Sequence, residues 1–226
     1  MRYPILITLL GACFLAFGAA ASPSSDRPNF VLCMTDDHGW GDVGYNGHPV
    51  LKTPNLDAMA AACVRFDHFY AAHPVCSPTR ASVLTGRTPD RFRCYGWGFD
   101  LPLREVTVAE LLKTRGYTTG HFGKWHLSNN MIPDSPMPKD YGYDEYGAFN
   151  CAGEQMPVHQ DATRAIAFIE KCVTAKKPFF VNVWMHEPHT PFHTLPDYRR
   201  RFPDLNDTDN VYASVVSHAD DRIGEL

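Results

Sequence analysis

The sequence predicts an α/β layered fold, with strands buried in a parallel sheet and helices packed around it. Three observations carry that expectation. Short apolar runs alternate with capped or amphipathic segments. The apolar runs at 28–35, 117–122 and 179–185 each stop abruptly at polar residues. Those polar residues include Asp36, Asp37, Lys124, His126 and His189, and they would line one rim of the sheet, where open α/β folds bind ligands.

Residues 28–35 form an apolar run ending in Asp36-Asp37 and then glycine-rich sequence, as expected of a buried strand delivering two carboxylates to its C-terminal end. Thr53 is a natural N-cap and Pro54 suits a first helical turn, so a helix begins there. Residues 64–70 alternate and predict a returning strand. A short helix over 78–84 follows directly after Cys76. Thr107-Val108-Ala109-Glu110 is a capping box that opens a helix, and Gly116 is its expected stop. The strand at 117–122 then leads into Gly123-Lys124-Trp125-His126. Residues 128–153 are rich in Pro, Gly, Asn and Tyr and read as a long surface loop. An amphipathic helix at 161–172 precedes the strand at 179–185, which ends in His186-Glu187-Pro188-His189. A helical pattern covers 211–226, and no internal repeat or low-complexity tract interrupts the chain.

The composition is that of an ordinary globular protein: 226 residues, 44% hydrophobic, 20% charged, formal charge −4. That suffices for one sizeable core or part of a larger one. It leaves no basic footprint for nucleic acid and no polybasic patch for a membrane surface. The first residues differ. Arg2, an apolar stretch over 5–17 and Ala19-Ala20-Ala21 read as a secretory signal peptide covering 1–21. Leu10-Gly11-Ala12-Cys13 also fits a bacterial lipobox, but apolar residues continue to Phe17, where a lipoprotein turns polar; the cleaved, exported reading is the stronger. Once Cys13 leaves, Cys33, Cys63, Cys76, Cys94, Cys151 and Cys172 remain, and three disulfides are arithmetically possible. Their wide spacing argues against staples, and Cys33 and Cys63, in apolar runs, read as core residues.

On residue types alone, several clusters stay open. Asp36-Asp37 fits a hard divalent cation site or a solvated turn equally. Lys124 and His126, two apart in extended chain, face one side and could converge on an anion, or could be a surface lysine and a packed histidine. His186-Glu187-Pro188-His189 is no HExxH zinc helix, because the histidines are three apart and Pro188 breaks the helix.

Cys76-Ser77-Pro78-Thr79-Arg80, followed by Leu84-Thr85-Gly86-Arg87, is not disulfide-like; it resembles the sulfatase family signature, whose cysteine is oxidised during export to Cα-formylglycine. The resemblance runs from Pro28 to the C-terminus through Asp36-Asp37 with Gly39-Trp40-Gly41-Asp42, Thr53-Pro54-Asn55-Leu56-Asp57, Gly123-Lys124-Trp125-His126-Leu127 and Pro188-His189-Thr190-Pro191. It implies an alkaline-phosphatase-like layered sheet with helices on both faces, incomplete at the C-terminus, and a sulfuric ester hydrolase. It further implies that Asp36, Asp37 and the modified Cys76 bind Ca²⁺ (or Mg²⁺), that Arg80 steadies the formylglycine, and that Lys124 contacts sulfate oxygens. His126 would assist elimination from the hydrated aldehyde, His189 would touch the sulfate and leaving-group oxygen, and His186 would be structural. A serine could form the sulfate ester but lacks the second hydroxyl that expels it, which is why a cysteine is modified.

Residues 22–226 would then be the N-terminal portion of the catalytic domain. The family's later Asp-Asn-Gly metal motif and further lysine do not appear before Leu226, so the chain expressed alone is expected to be inactive and poorly stable. Expected partners are a sulfated small molecule or polysaccharide and the formylglycine-generating enzyme, with no nucleic acid and no stable membrane span. Expected localisation is secreted or periplasmic, or lysosomal in a eukaryote. The alternatives are a phosphonate or phosphodiester hydrolase using the same nucleophile and a non-catalytic pseudoenzyme. Trp40-Gly41-Asp42 looks like the arylsulfatase and N-acetylgalactosamine-6-sulfatase branch; the sequon at Asn206-Asp207-Thr208 reads as a plain loop.

Overall fold

A computed structural model describes residues 27–128, 134–149 and 159–226. The leader expected at 1–21, Cys13, Cys151 and parts of the loop expected at 128–153 lie outside the described residues. Four parallel strands form one sheet in the order β1 (Phe30–Met34), β4 (Phe179–Trp184), β2 (Thr118–Lys124) and β3 (Glu145–Phe149).

The central strand β4 is buried along its whole length, as a parallel strand covered on both faces must be. Its side chains alternate between two cores. Phe180 and Trp184 join Trp125, Leu127, Tyr141 and Tyr143 with α2 (Cys76–Thr85), α3 (Pro89–Phe92) and α4 (Val108–Lys113). Phe179, Val181 and Val183 face Ala165, Phe168 and Cys172 of α5 (Asp161–Thr174). Helices therefore cover both faces of the sheet. A third, smaller core joins Leu51 to Phe202, Ala213 and Val216, beneath α7 (Asp207–Glu225). The remaining α-helices among the described residues are α1 (Pro54–Ala62) and the single turn α6 (Pro196–Arg199). No helix among the described residues is long and apolar enough to cross a membrane.

The capping box is present: Thr107 Oγ1 accepts from the Glu110 amide, and the Thr107 amide donates 2.7 Å to the Glu110 carboxylate. The helix it opens ends at Lys113, and Gly116 takes the left-handed conformation at φ +82° three residues on. Thr53 precedes α1 without capping it. Its hydroxyl donates to Asp57 instead, and the α1 amides of Asn55 and Leu56 donate to Asp220 of α7 at 3.0 and 2.8 Å.

Four expectations need correction. Residues 64–70 form no strand; Val64, Phe66, Phe69 and Tyr70 are exposed, and alternation without a strand to pair with does not make a ladder. The stretch expected as loop contains the five-residue strand β3, held by β2 despite its glycine and weak alternation. The strand after Pro28 is an edge strand rather than a buried one, so Phe30 and Val31 are exposed. Cys63 ends α1 in solvent and is not a core residue, whereas Cys33 packs partly buried against the α5 core. Cys33, Cys63, Cys76, Cys94 and Cys172 are all free thiols.

Candidate active site

Three strand ends and one helix start meet at the C-terminal edge of the sheet. β1 leads into Asp36 and Asp37, β4 into 186–189, and β2 into 124–126. Backbone bonds lock the first two segments together: Met185 N donates to Met34 O at 2.9 Å and Asp36 N to Glu187 O at 3.0 Å. Helix α2 starts at Cys76 with Pro78 in its first turn, where a missing amide costs nothing. Arg80, one turn on, shares the face of Cys76. Ser77 Oγ donates to His126 O at 2.6 Å and Arg80 Nη1 to Lys124 O at 2.9 Å, which pins α2 to the end of β2.

Gly123 is what lets β2 turn there. Its φ is +109°, and a Cβ at this position would collide with the backbone carbonyl of Trp184 on β4. The strand consequently passes close enough to β4 to aim Lys124 inward.

The chemistry centres on Asp36. Arg80 Nη2 lies 3.1 Å from one carboxylate oxygen, and the Lys124 ammonium is bonded to the other. Arg80 and Lys124 are fully enclosed, and the Arg80 guanidinium also sits 5.1 Å from the Trp184 ring centroid. Cys76 Sγ lies 3.6 Å from Asp36 Oδ1 and 3.5 Å from Lys124 Nζ. Two buried cations face one buried anion, so the cluster favours a further negative charge beside Cys76. Burial works to raise the Asp36 carboxyl, but Arg80 and Lys124 outweigh it and hold it below the usual range. Burial, then Asp36, pushes the Cys76 thiol up. Burial and the positive charges of Lys124 and Arg80 take His126 down to about 4, so it is neutral at physiological pH.

Asp37 is exposed, in the left-handed region at φ +57°, and its carboxylate lies 3.5 Å from His189 Nε2. One donor atom each from Asp36, Cys76 and His189 lie within 4.8 Å of one another. A cavity of about 320 Å³ opens onto Asp36, Asp37, Cys76 and Arg80, with His38 and His73 also on its wall. Every residue picked out in sequence thus falls at this edge: Asp36, Cys76, Arg80 and Lys124 in direct contact, Asp37 and His189 as a pair, and His126 within electrostatic reach. Lys124, expected to contact sulfate oxygens, is bonded to Asp36. His186 packs against the rings of His189 and Phe149. His38 and His73 carried no motif that would have marked them.

The donors suit a hard divalent cation in kind, because two adjacent carboxylates border the cavity. Two carboxylates fall short of the usual shell of about six to eight oxygens, and both oxygens of Asp36 already face cations.

Comparison with known proteins gives one consistent outcome. The Sulfatase family model matches residues 28–226. Mouse N-acetylgalactosamine-6-sulfatase is 32% identical over 93% of this chain and 48% of its own length. Human arylsulfatase A is 52% identical over 62% of this chain and 28% of its own length. The chain thus spans about half the length, or less, of the curated relatives it matches. Among solved structures, Ps i-CgsB in complex with k-i-k-neocarrahexaose superposes with a TM-score of 0.79 at 28% identity, covering 88% of this chain and 54% of that one. The phosphonate monoester hydrolase of Agrobacterium radiobacter, at 19% identity and a TM-score of 0.65, shares the fold.

Proposed function

Since the chain belongs to the sulfatase family, we propose that it serves in the hydrolysis of sulfate esters, with residue 76 as nucleophile after oxidation to Cα-formylglycine. One observation carries this reading above the others. The Cys76 side chain lies against a buried ammonium and a carboxylate at the sheet edge, on the wall of an open cavity.

The thiol itself is a poor candidate. A nucleophilic cysteine needs a depressed pKa, and burial with Asp36 works the other way. A modified side chain removes that difficulty, since its hydrate offers one hydroxyl to attack and another to expel the product. Asp36 and Asp37 would hold Ca²⁺ or Mg²⁺, which when bound neutralises sulfuryl charge and acidifies a neighbouring hydroxyl. Arg80, locked between Asp36 and the Trp184 ring, fixes the start of α2 and so the direction in which residue 76 points. Lys124 supplies positive charge to the sulfate oxygens. His126, neutral at physiological pH, can accept a proton from residue 76. His189, paired with Asp37, would meet the leaving oxygen.

Residues 1–21 would direct export and residues 22–226 would contribute to the catalytic domain. The substrate class we infer is a sulfated carbohydrate. Its support is the similarity to Ps i-CgsB and to BT4656, which was solved with D-glucosamine-2-N,6-O-disulfate at 27% identity and a TM-score of 0.67.

The test is the intact mass of the Cys76 peptide after expression in a host that carries out formylglycine conversion. We expect the mass loss that accompanies replacement of the thiol by an aldehyde, and none in Arg80→Ala. Paired aryl sulfate and aryl phosphodiester substrates, assayed on the protein from its native host, should favour the sulfate. His126→Ala should lower that rate by about 10²–10⁴-fold. An unmodified thiol in the native protein would overturn the reading and favour a non-catalytic role.

A further inference from the structure

A second cluster of ligating side chains lies in a different set of elements. Glu187 comes from the loop after β4, His159 from the residues just before α5, and His218 from the middle of α7. Glu187 and His218 are buried and His159 half-buried. Glu187 Oε1 lies 3.1 Å from His218 Nδ1 and 3.6 Å from His159 Nδ1. The two imidazoles cross at 76° with centroids 4.6 Å apart, and one ligand atom from each of the three residues falls within 4.8 Å of the other two.

Those spacings match a particular geometry. A tetrahedral ion bonded at roughly 2.0–2.2 Å to nitrogen and oxygen holds neighbouring donor atoms about 3.3 Å apart. The observed 3.1 and 3.6 Å bracket that value. Two imidazoles and one carboxylate are also a donor set that zinc takes. They contrast with the oxygen-rich pair Asp36 and Asp37, so the two places would select different metals.

An independent observation concerns charge. Asp161, the first residue of α5, is buried within electrostatic reach of both Glu187 and His159. Its Oδ2 and the Oε2 of Glu187 are buried and have no hydrogen-bond partner among the described residues. If Glu187 merely faced the two imidazoles through Oε1, its buried Oε2 would stay unsatisfied, at about 1–3 kcal/mol. A divalent cation held by both oxygens of Glu187 would satisfy its Oε2 and offset the nearby charge of Asp161.

We propose that His159, Glu187 and His218 form a three-ligand transition-metal site of zinc type. Its role is structural. The Glu187 carbonyl accepts from the Asp36 amide, and Glu187 stands two residues before His189, so a metal here ties α5 and α7 to the loop that frames the candidate active site. The proposal does not depend on any chemistry at residue 76.

The experiment uses the full chain, purified without a metal-binding tag, equilibrated with Zn²⁺, dialysed and analysed for metal by mass spectrometry. Circular dichroism checks the fold of each variant. We expect one zinc per chain, with affinity lowered about 10-fold or more in His218→Gln and in His159→Ala, and unchanged in Cys76→Ser and Asp37→Asn. His159→Ala keeps the test decisive if His218→Gln fails to fold, because His159 is only half-buried. Cobalt substitution should add the intense visible bands of a four-coordinate ion, absent from His159→Ala. No retained zinc in the wild-type chain, retention indifferent to His159→Ala, or loss in Cys76→Ser would each overturn the site.

Discussion

His121 sits on β2 with no exposed surface, its ring edge-on to Trp125, Trp184 and Tyr143 at centroid distances of 5.0, 5.1 and 5.5 Å. Burial, and then the charge of Arg80, takes it down to about 3. The sign of the consequence follows from the unfolded chain, where a histidine takes up its proton near 6.5. Between about 6.5 and 3 the unfolded state binds one more proton than the folded state, so stability falls as pH drops through that window. His126 and His186, both taken down to about 4 with burial the leading cause, act in the same direction. Denaturant unfolding at pH 7 and pH 5 should therefore differ, His121 contributing about 2 kcal/mol at a slope of about 1.4 kcal/mol per pH unit. His121→Gln should shrink that difference. An equal difference in the variant would show that the ring is hydrated in the folded protein.

The helix start at α1 shows why some contacts are invisible in sequence. Thr53-Pro54 predicts a helix start and obtains one, but the cap comes from Asp220, which holds the Asn55 and Leu56 amides and the Asn55 side chain from across the third core. Asp220→Ala should lower stability by about 2 kcal/mol, about 4–8 °C in Tm, with the sheet unchanged. Thermal unfolding measures this, and an unshifted Tm would assign the cap to water. Gly123→Ala is expected to be far worse, since its Cβ meets backbone rather than a movable side chain. Soluble, folded Gly123→Ala protein would contradict that packing. The Cys76 site was legible because each contributing block is local: a strand end, a helix start and two short motifs, each bearing its own chemistry. β3 was not, because Glu145-Tyr146-Gly147-Ala148-Phe149 has little intrinsic strand preference and is held by its neighbour. The His159, Glu187 and His218 cluster was hidden for a similar reason, its members being brought together by packing alone.

At the scale of the whole molecule, apolar surface is unevenly distributed. Phe30 and Val31 are exposed on the edge strand β1, and Val64, Phe66, Phe69 and Tyr70 are each more than 70% exposed. Exposed apolar side chains and an open strand edge favour association in water. The isolated chain should bind a hydrophobic dye and self-associate with rising concentration in light scattering, and Phe66→Ser with Phe69→Ser should reduce both. A monomer without dye binding would refute this. The first turn of α2 has a different implication, concerning time. Ser77, Pro78 and Arg80 are all buried there, their side chains facing the interior. A maturing enzyme that read this turn, Ser77 and Pro78 included, would reach it only on the nascent or unfolded polypeptide. If residue 76 is modified as proposed, conversion would have a deadline set by how fast α2 docks onto β2, and a chain that missed it would keep its thiol.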